Sequence, residues 1–240
     1  MGLNSLQVGR RYFWMHGLSA VAVAGTSYFL LVQAPFMAKS EPWLYGFLVF
    51  GGLYGIVKGG KWEKASIPLY AIAAGSGVIS LCLIWANHPL KEGLSQWMSL
   101  ANGLLSVGLL GGSLAAMLLG HWYLIQPRLS IDELKKLSRV LIAFIVVRFL
   151  FSSWVLFESL PPGGEAQLYR YFLATTPGIF SLMRWAWGLL GSLVLSYFLW
   201  GTVKIRSTQS ATGILYVIVL AVLTGETLSL YLILNYGIPL

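Results

Sequence analysis

The sequence predicts an all-α membrane protein, a polytopic bundle of seven transmembrane helices with the N-terminus in the cytoplasm and the C-terminus outside. Hydrophobic residues make up 57% of the 240 residues and charged residues only 10%, whereas a soluble domain carries about 25% charged residues. The apolar residues form seven runs, most of them near the roughly 20 residues that a helix needs to cross a bilayer. The Lys and Arg residues between the runs are unequally divided between the two predicted sides.

The chain length leaves room for seven spans joined by short loops, so residues 1–240 are expected to form a single integral membrane domain. Helices are expected because the alternating pattern of membrane-spanning strands is absent, and because a helix satisfies its own backbone hydrogen bonds in lipid. The predicted spans are residues 12–37, 43–58, 65–86, 97–125, 140–157, 178–203 and 211–234.

The first two runs need separate justification. The first follows Arg10 and Arg11 and begins like a cleaved signal peptide, but it continues to Ala38 and more spans follow, so we expect it to be retained as a helix. The second is the shortest, and Lys58 at its end must extend toward the headgroups if the helix is to cross the bilayer.

Two loops carry helix signals of their own. After span four, Ser130–Glu133 form a capping-box pattern just before Lys135 and Lys136, which predicts a short amphipathic helix on the cytoplasmic membrane surface. On the opposite side, residues 161–164 break the chain before the aromatic stretch 168–172. That stretch is predicted to be an interfacial helix or a lid.

The charge asymmetry sets the orientation. Membrane proteins keep an excess of Lys and Arg in their cytoplasmic loops, and the same excess explains the net charge of +8 without a nucleic-acid partner. We therefore expect a multi-pass protein of the cell inner (cytoplasmic) membrane, whose partners are the lipid bilayer and other membrane subunits. The cytoplasmic side holds Arg10, Arg11, Lys58, Lys61, Lys64, Arg128, Lys135, Lys136, Arg139, Lys204 and Arg206, and the other side holds Lys39, Lys91 and Arg170.

Arg184 and Glu226 are ionisable residues inside predicted spans, where each charge is costly and normally faces a partner or a wet cavity. Arg184 lies roughly 9 Å below the outer end of span six, and Glu226 lies about 8 Å from the outer face in span seven, at 1.5 Å per residue. Because the two spans are joined by a short loop, the sequence predicts an Arg184–Glu226 ion pair. The pair is interpreted either as a structural clamp or as part of a polar site to which other side chains contribute hydrogen bonds and stacking: Thr224, Thr227, Trp185 and Trp187.

Arg148 is the third intramembrane charge. It enters span five by roughly 12 Å from the cytoplasmic end, at 1.5 Å per residue, which places it near the midplane. Its own helix offers no carboxylate within a turn, and Ser152 offers only a hydroxyl. The partner is therefore expected to be an anionic ligand, a haem propionate, a carboxylate from another subunit, or backbone carbonyls and water within the bundle.

His16 and His121 lie at the same predicted depth, each about one turn from the cytoplasmic end of its span. Two imidazoles at equal depth on separate helices suit bis-histidine ligation of haem b, with the haem iron as the metal. Small neighbours such as Gly120 would let the macrocycle approach. Aromatic belts also place histidines at such ends, so an interfacial role stays open.

No catalytic residues are predicted, because the sequence contains no zinc, nucleophile-elbow or phosphate-loop motif, and Cys82 is its single cysteine.

Three hypotheses about the function remain open. The first is a membrane subunit of a respiratory or electron-transfer assembly that ligates haem b. The second is a transporter or channel for a small solute or ion, lined by the intramembrane Arg and Glu residues. The third is a structural subunit without a cofactor.

Overall fold

The computed structural model describes residues 40–59, 66–87, 96–126, 129–160 and 164–240, and every regular element in these ranges is a helix. The chain divides into two compact units, Met1–Pro89 and Leu90–Leu240. The described helices are α1 (Glu41–Gly59), α2 (Ser66–Asn87), α3 (Gln96–Ile125), α4 (Asp132–Ser159), α5 (Glu165–Ala174), α6 (Thr176–Lys204) and α7 (Thr208–Tyr236).

Five of the helices in the described ranges are long and apolar enough to cross a membrane, which is the architecture of a multi-pass membrane protein. They confirm predicted spans 65–86, 97–125, 140–157, 178–203 and 211–234 as long apolar helices. The spanning candidates are Ile67–Ile84, Trp97–Ile125, Asp132–Ser159, Thr176–Lys204 and Thr208–Tyr236.

The first two predicted spans stand apart from these five. Span 12–37 lies outside the described residues. Span 43–58 corresponds to α1, which is helical but is not among the five candidates. Glu41 and Lys58 leave only residues 42–57 between them, and that stretch contains four glycines, so its apolar length falls short of a full span.

In the N-terminal unit, α1 and α2 pack as an antiparallel pair. The rings of Tyr54 and Tyr70 lie 5.5 Å apart near one end of the pair, and Ser80 Oγ donates to the carbonyl of Ser40 at 3.4 Å near the other. Between these ends, a Cβ added to Gly46 would lie 3.2 Å from Ser76 Cβ. The pairing follows the small residues, as is usual where helices associate in lipid.

In the C-terminal unit, α3, α4, α6 and α7 form a bundle in which helices that follow one another along the chain run in opposite directions. Gly108 of α3 makes room for the Phe144 ring of α4, and Gly120 faces Thr212 of α7. Leu109, Leu141 and Leu215 are among the fully buried side chains of this bundle. Small residues at the crossings let the helices approach closely, because lipid supplies no hydrophobic drive to press them together.

Helix α6 changes its winding in the middle. It is α-helical over Thr176–Met183, π-helical over Arg184–Gly191, and α-helical again over Ser192–Lys204. The hydroxyl of Thr175 caps its start by accepting from the amide of Gly178 at 3.2 Å. A π-helical stretch costs stability in an ordinary helix and is often found at functional sites.

Helix α4 begins eight residues earlier than the predicted span. The expected separate amphipathic helix is therefore wrong: residues 132–139 are the first two turns of α4 itself. Glu133, Leu134 and Leu137 are buried, and Glu133 pairs with Lys136 at 3.1 Å. The charged turns continue the helix because their apolar side chains pack into the bundle while Lys136 extends outward.

The aromatic stretch 168–172 lies in α5, which confirms a helix there, and none of its side chains is fully buried. After α7, Gly237 adopts a left-handed conformation with φ 72°, which turns the chain back toward the bundle. As a result, Leu240 is only 1% exposed and packs against Val155 and Leu232.

Candidate functional site

Four helices of the C-terminal unit bring one polar side chain each to a common layer: Ser106 from α3, Arg148 from α4, Arg184 from α6 and Glu226 from α7. Each lies eight to eleven residues from the nearer end of its helix, which is roughly 12–17 Å at 1.5 Å per residue. Both arginines are 0% exposed and Glu226 is 6% exposed. The layer is therefore a charged cluster enclosed by apolar helices.

The carboxylate of Glu226 accepts hydrogen bonds from all three of the other residues. Arg184 Nη2 donates to Oε1 at 2.6 Å. Arg148 holds both oxygens, with Nε 3.2 Å from Oε1 and Nη2 2.9 Å from Oε2. The hydroxyl of Ser106 donates to Oε2 at 2.5 Å. Because all the partners donate, Glu226 is held as an ionised carboxylate, which only accepts.

The Nη2 atom of Arg148 lies within reach of more acceptors than it has hydrogens. Besides Glu226, it faces the hydroxyls of Ser106 at 3.1 Å and Ser229 at 3.2 Å and the carbonyl of Leu240 at 3.1 Å. Ser229 also donates to the Leu240 carbonyl. A guanidinium nitrogen of this kind has two hydrogens, so these acceptors compete for it.

The two arginines have more donors than their described partners accept. Both guanidinium groups, which stay protonated in proteins, share the carboxylate of Glu226. Three guanidinium nitrogens have no hydrogen-bond partner among the described residues: Nη1 of Arg148 and both Nε and Nη1 of Arg184. The hydroxyl of Ser152, one turn along α4 from Arg148, is likewise unpartnered in the described ranges.

Two glycines allow α6 and α7 to meet beside Arg184. A Cβ added to Gly225 would lie 2.7 Å from Arg184 Nη1 and 2.7 Å from the Cα of Gly188. A Cβ added to Gly188 would lie 2.7 Å from the Cα of Gly225. No side chain fits at either position without moving the helices, so the glycines bring Arg184 into contact with Glu226.

Aromatic and apolar side chains surround the cluster. The Cζ atom of Arg148 lies 5.9 Å from the ring centroid of Phe151, a distance at which a cation is attracted to the ring face. Trp185 donates from Nε1 to Ser153 Oγ at 2.9 Å and packs on Phe149 at 5.2 Å between centroids. Charges in such surroundings interact more strongly than charges in water, and leaving one unpaired costs more.

The ion pair expected between Arg184 and Glu226 is present at 2.6 Å. The expected difference in depth between Arg148 and that pair is wrong, because Arg148 lies in the same layer and its carboxylate partner is Glu226 of the same chain, at 2.9 Å. The reason is the early start of α4. With Asp132 as the first helical residue, Arg148 lies sixteen residues from that end and eleven from Ser159.

Three residues expected to join the polar site lie elsewhere. Thr224 and Thr227 are exposed, and each hydroxyl donates to a carbonyl of its own helix at 2.7 and 2.8 Å. Trp187 is 50% exposed on the outside of α6. Adjacent turns of α6 and α7 therefore face different surroundings, and only the glycine-bearing faces reach the cluster.

The sequence did not single out Ser106, Ser229 or the Leu240 carbonyl. Serines are frequent along these helices, and most hydrogen-bond to their own backbone: Ser113 donates to the carbonyl of Leu110 at 2.9 Å, for example. Nothing in the local sequence distinguishes Ser106 from Ser113. The one available signal was spacing, since Ser229 lies three residues after Glu226 and so on the same face of α7.

The haem b hypothesis stays a prediction. His16 lies outside the described residues. His121 is exposed, and its Nδ1 lies 3.2 Å from the hydroxyl of Tyr216; a hydrogen bond at Nδ1 is the usual way to orient Nε2 for iron. Gly120 does not provide the expected space, because Thr212 and Leu215 of α7 fill it. No group of three or more His, Cys, Asp and Glu that could hold a metal ion occurs within the described ranges.

The fold and the site together give the class of this protein: it is a multi-pass helical membrane protein with a buried cluster of two arginines and one glutamate. No family model, no curated protein and no solved structure matches the chain. Function is therefore argued from the cluster itself.

Proposed function

We propose that this chain is a membrane transporter for a small anion and that the cluster of Arg148, Arg184 and Glu226 is its binding site. The observation that carries the proposal is the set of spare cationic donors, since the two fully buried guanidinium groups have three nitrogens without a hydrogen-bond partner among the described residues. Ionisable residues within membrane helices commonly mark the path of a substrate or ion.

A purely structural clamp between helices would need only one arginine and one glutamate. One arginine is enough to pair with Glu226, and burying a second guanidinium costs several kcal/mol unless its donors are satisfied. The unpartnered nitrogens of both arginines are donors that an anion would satisfy. An anion-binding role therefore accounts for these donors, which a clamp alone leaves unexplained.

The cluster is closer to one end of the bundle than to the other, so an anion entering from that end would travel the shorter distance. The cluster lies nearer the ends of α4 and α7 at Ser159 and Tyr236 than the opposite ends of those helices. Near it, Ser152 and Asn102 are buried, each one turn from a cluster residue on α4 or α3, and the Asn102 side-chain oxygen has no partner in the described ranges. These polar groups favour access from that side.

The proposal includes the finer topology expected from the sequence: seven spans, a cytoplasmic N-terminus, an external C-terminus and a place in the inner membrane. In this orientation the accessible side of the cluster faces outward. Labelling of single cysteines in a Cys82→Ser background tests it, with Arg206→Cys expected to react from the cytoplasm and Tyr236→Cys from outside. Reaction of both from the same side would overturn the topology.

Uptake by proteoliposomes tests the transport function. Purified protein should accumulate small anions from a panel of chloride, nitrate, formate, phosphate and sulfate faster than protein-free vesicles. Arg148→Gln and Arg184→Gln should each abolish this uptake. Arg139→Gln is the matched control, because Arg139 is exposed on the same helix as Arg148, nine residues away.

Two outcomes would contradict the proposal. Failure of the wild-type protein to move any anion of the panel would remove the transport function. Unchanged uptake in a folded Arg148→Gln or Arg184→Gln variant would leave the cluster a clamp and place any anion path elsewhere. Unfolding in detergent, monitored by intrinsic fluorescence, separates loss of the fold from loss of the site.

A further inference from the structure

The outer surface of α6 contains a groove near the end of the helix at Lys204. The groove has a volume of about 340 Å³, and it includes Gly201, where nothing lies within 4 Å of the position that a Cβ would occupy. Residues three and four positions apart lie on the same face of a helix, so Tyr197 and Phe198 border the gap at Gly201 on one side and Lys204 and Ile205 on the other. The missing side chain at Gly201 therefore opens the groove.

The groove lies where the membrane-spanning part of the chain meets the headgroup region. The spanning candidate formed by α6 ends at Lys204, and aromatic side chains gather at that depth in membrane proteins. Tyr197 and Phe198 are 77% and 54% exposed, whereas the neighbouring Leu199 is buried in the bundle. Because Tyr197 and Phe198 lie nearer the middle of α6 than Lys204, the groove has an aromatic part toward the bilayer core and a cationic part at its boundary.

Lys204 is held beside the groove by an aromatic ring. Its Nζ atom lies 5.4 Å from the ring centroid of Trp200, a distance at which the ring face attracts a cation. Arg206, two residues further along, points elsewhere, because its Nη2 atom donates to the Leu129 carbonyl at 2.9 Å. Lys204 is therefore the cation of this groove, and Trp200 fixes its place.

We infer that this groove binds a phospholipid with an anionic headgroup, with the lipid phosphate at Lys204 and an acyl chain lying over Gly201 against Tyr197 and Phe198. The inference does not depend on anion transport by the buried cluster. Its basis is charge complementarity, since the ammonium of Lys204 attracts an anionic lipid, whereas a zwitterionic headgroup would bring a second ammonium beside it. The carboxyl end of a helix disfavours an anion, so the preference should depend on Lys204.

Native mass spectrometry of the purified full chain tests the headgroup preference. The probes are phosphatidylglycerol and phosphatidylethanolamine with identical acyl chains, so only the headgroup and its charge differ. The wild-type protein should bind phosphatidylglycerol about fivefold more tightly, which is the contribution of one lysine at a membrane surface. Lys204→Gln should abolish this preference and Lys204→Arg should keep it. Arg139→Gln is the matched control, because Arg139 is an exposed cation on α4 that does not line the groove.

A second variant tests the groove without changing any charge. In Gly201→Leu the new side chain would occupy the space that the acyl chain needs, so binding of phosphatidylglycerol should fall at least as much as in Lys204→Gln. The fold should be kept, because the Cβ position at Gly201 is open. Gly213→Leu is the matched control on α7, since its Cβ position is equally open and it lies outside the groove; it should bind phosphatidylglycerol as the wild type does.

Three results would overturn the inference. Equal binding of the two lipids by the wild-type protein would show that the groove has no preference for an anionic headgroup. An unchanged preference in Lys204→Gln would place the anionic lipid elsewhere on the chain. Wild-type binding of phosphatidylglycerol in Gly201→Leu would show that the lipid does not lie in the groove. Each of these results leaves the anion uptake assay unaffected, because Lys204 and Gly201 lie outside the buried cluster.

Discussion

Arg148 and Arg184 hold the same carboxylate from two different helices. The Nη2 atom of Arg148 lies 2.9 Å from Oε2 of Glu226, and the Nη2 atom of Arg184 lies 2.6 Å from Oε1. The arrangement joins α4, α6 and α7 at one depth in the bundle. It also leaves three guanidinium nitrogens without a hydrogen-bond partner among the described residues, and the predictions below follow from these two consequences.

Replacing Glu226 should destabilise the protein more than replacing either arginine. Glu226→Leu removes the carboxylate that both guanidinium groups share, whereas Arg184→Leu leaves the Arg148–Glu226 pair in place. Breaking a buried ion pair costs about 3–5 kcal/mol, and we expect Glu226→Leu to reach that range. Unfolding of the purified variants by SDS in mixed micelles measures the difference. Equal losses in both variants would show that the arginines do not share the carboxylate.

Gly225→Ala should disrupt the crossing of α6 and α7. The added methyl would lie 2.7 Å from Arg184 Nη1 and from the Gly188 backbone, and such overpacking costs about 1–3 kcal/mol. Gly213→Ala is the matched control on the same helix, because nothing lies within 4 Å of its Cβ position; it should be neutral or stabilising. Denaturation midpoints compare the two variants, and similar midpoints would contradict the close crossing.

Ser106→Ala should weaken the cluster, while Ser113→Ala should change little. The Ser106 hydroxyl donates to Glu226 at 2.5 Å and accepts from Arg148 Nη2 at 3.1 Å. Removing it leaves charged groups short of a partner, at a cost of about 1–3 kcal/mol. Ser113, two turns along the same helix, donates only to the Leu110 carbonyl. The free energies of unfolding of the two variants should therefore differ, and matching values would argue that Ser106 is a packing residue.

The haem hypothesis has a direct optical test. If His16 and His121 ligate haem b, the purified protein should show a Soret band that His16→Ala and His121→Ala each remove. Tyr216→Phe should keep the Soret band but change its wavelength, because the substitution removes the hydrogen bond to His121 Nδ1. A colourless protein would end the hypothesis and would leave the anion site unaffected.

The sequence predicted the Arg184–Glu226 pair because two antiparallel spans with a short loop fix the relative depths of their residues. It failed for Arg148 because the start of α4 cannot be located from apolar residues alone. The apolar run begins at residue 140, but Glu133 and Lys136 pair within the first helical turns, so the helix begins at Asp132. An error of two helical turns was enough to move Arg148 out of the layer.

Other parts of the site depend on backbone geometry that the sequence states only weakly. The left-handed Gly237 turns the chain so that the Leu240 carbonyl reaches Arg148, and a glycine near a helix end predicts a stop but not where the following residues lie. The π-helical winding of Arg184–Gly191 also left no sequence signal. Both the turn at Gly237 and the π-helical winding depend on packing between helices, so they form only when the bundle assembles.

The central claim is that an anion occupies the spare donors of Arg148 and Arg184. Crystals of the protein soaked in bromide test it most directly, because bromide is located by its anomalous scattering. The account predicts a peak beside Glu226, within about 3.5 Å of a guanidinium nitrogen of Arg148 or Arg184, that is absent from Arg184→Gln. Bromide bound only at the protein surface, with no peak at the cluster, would contradict the account.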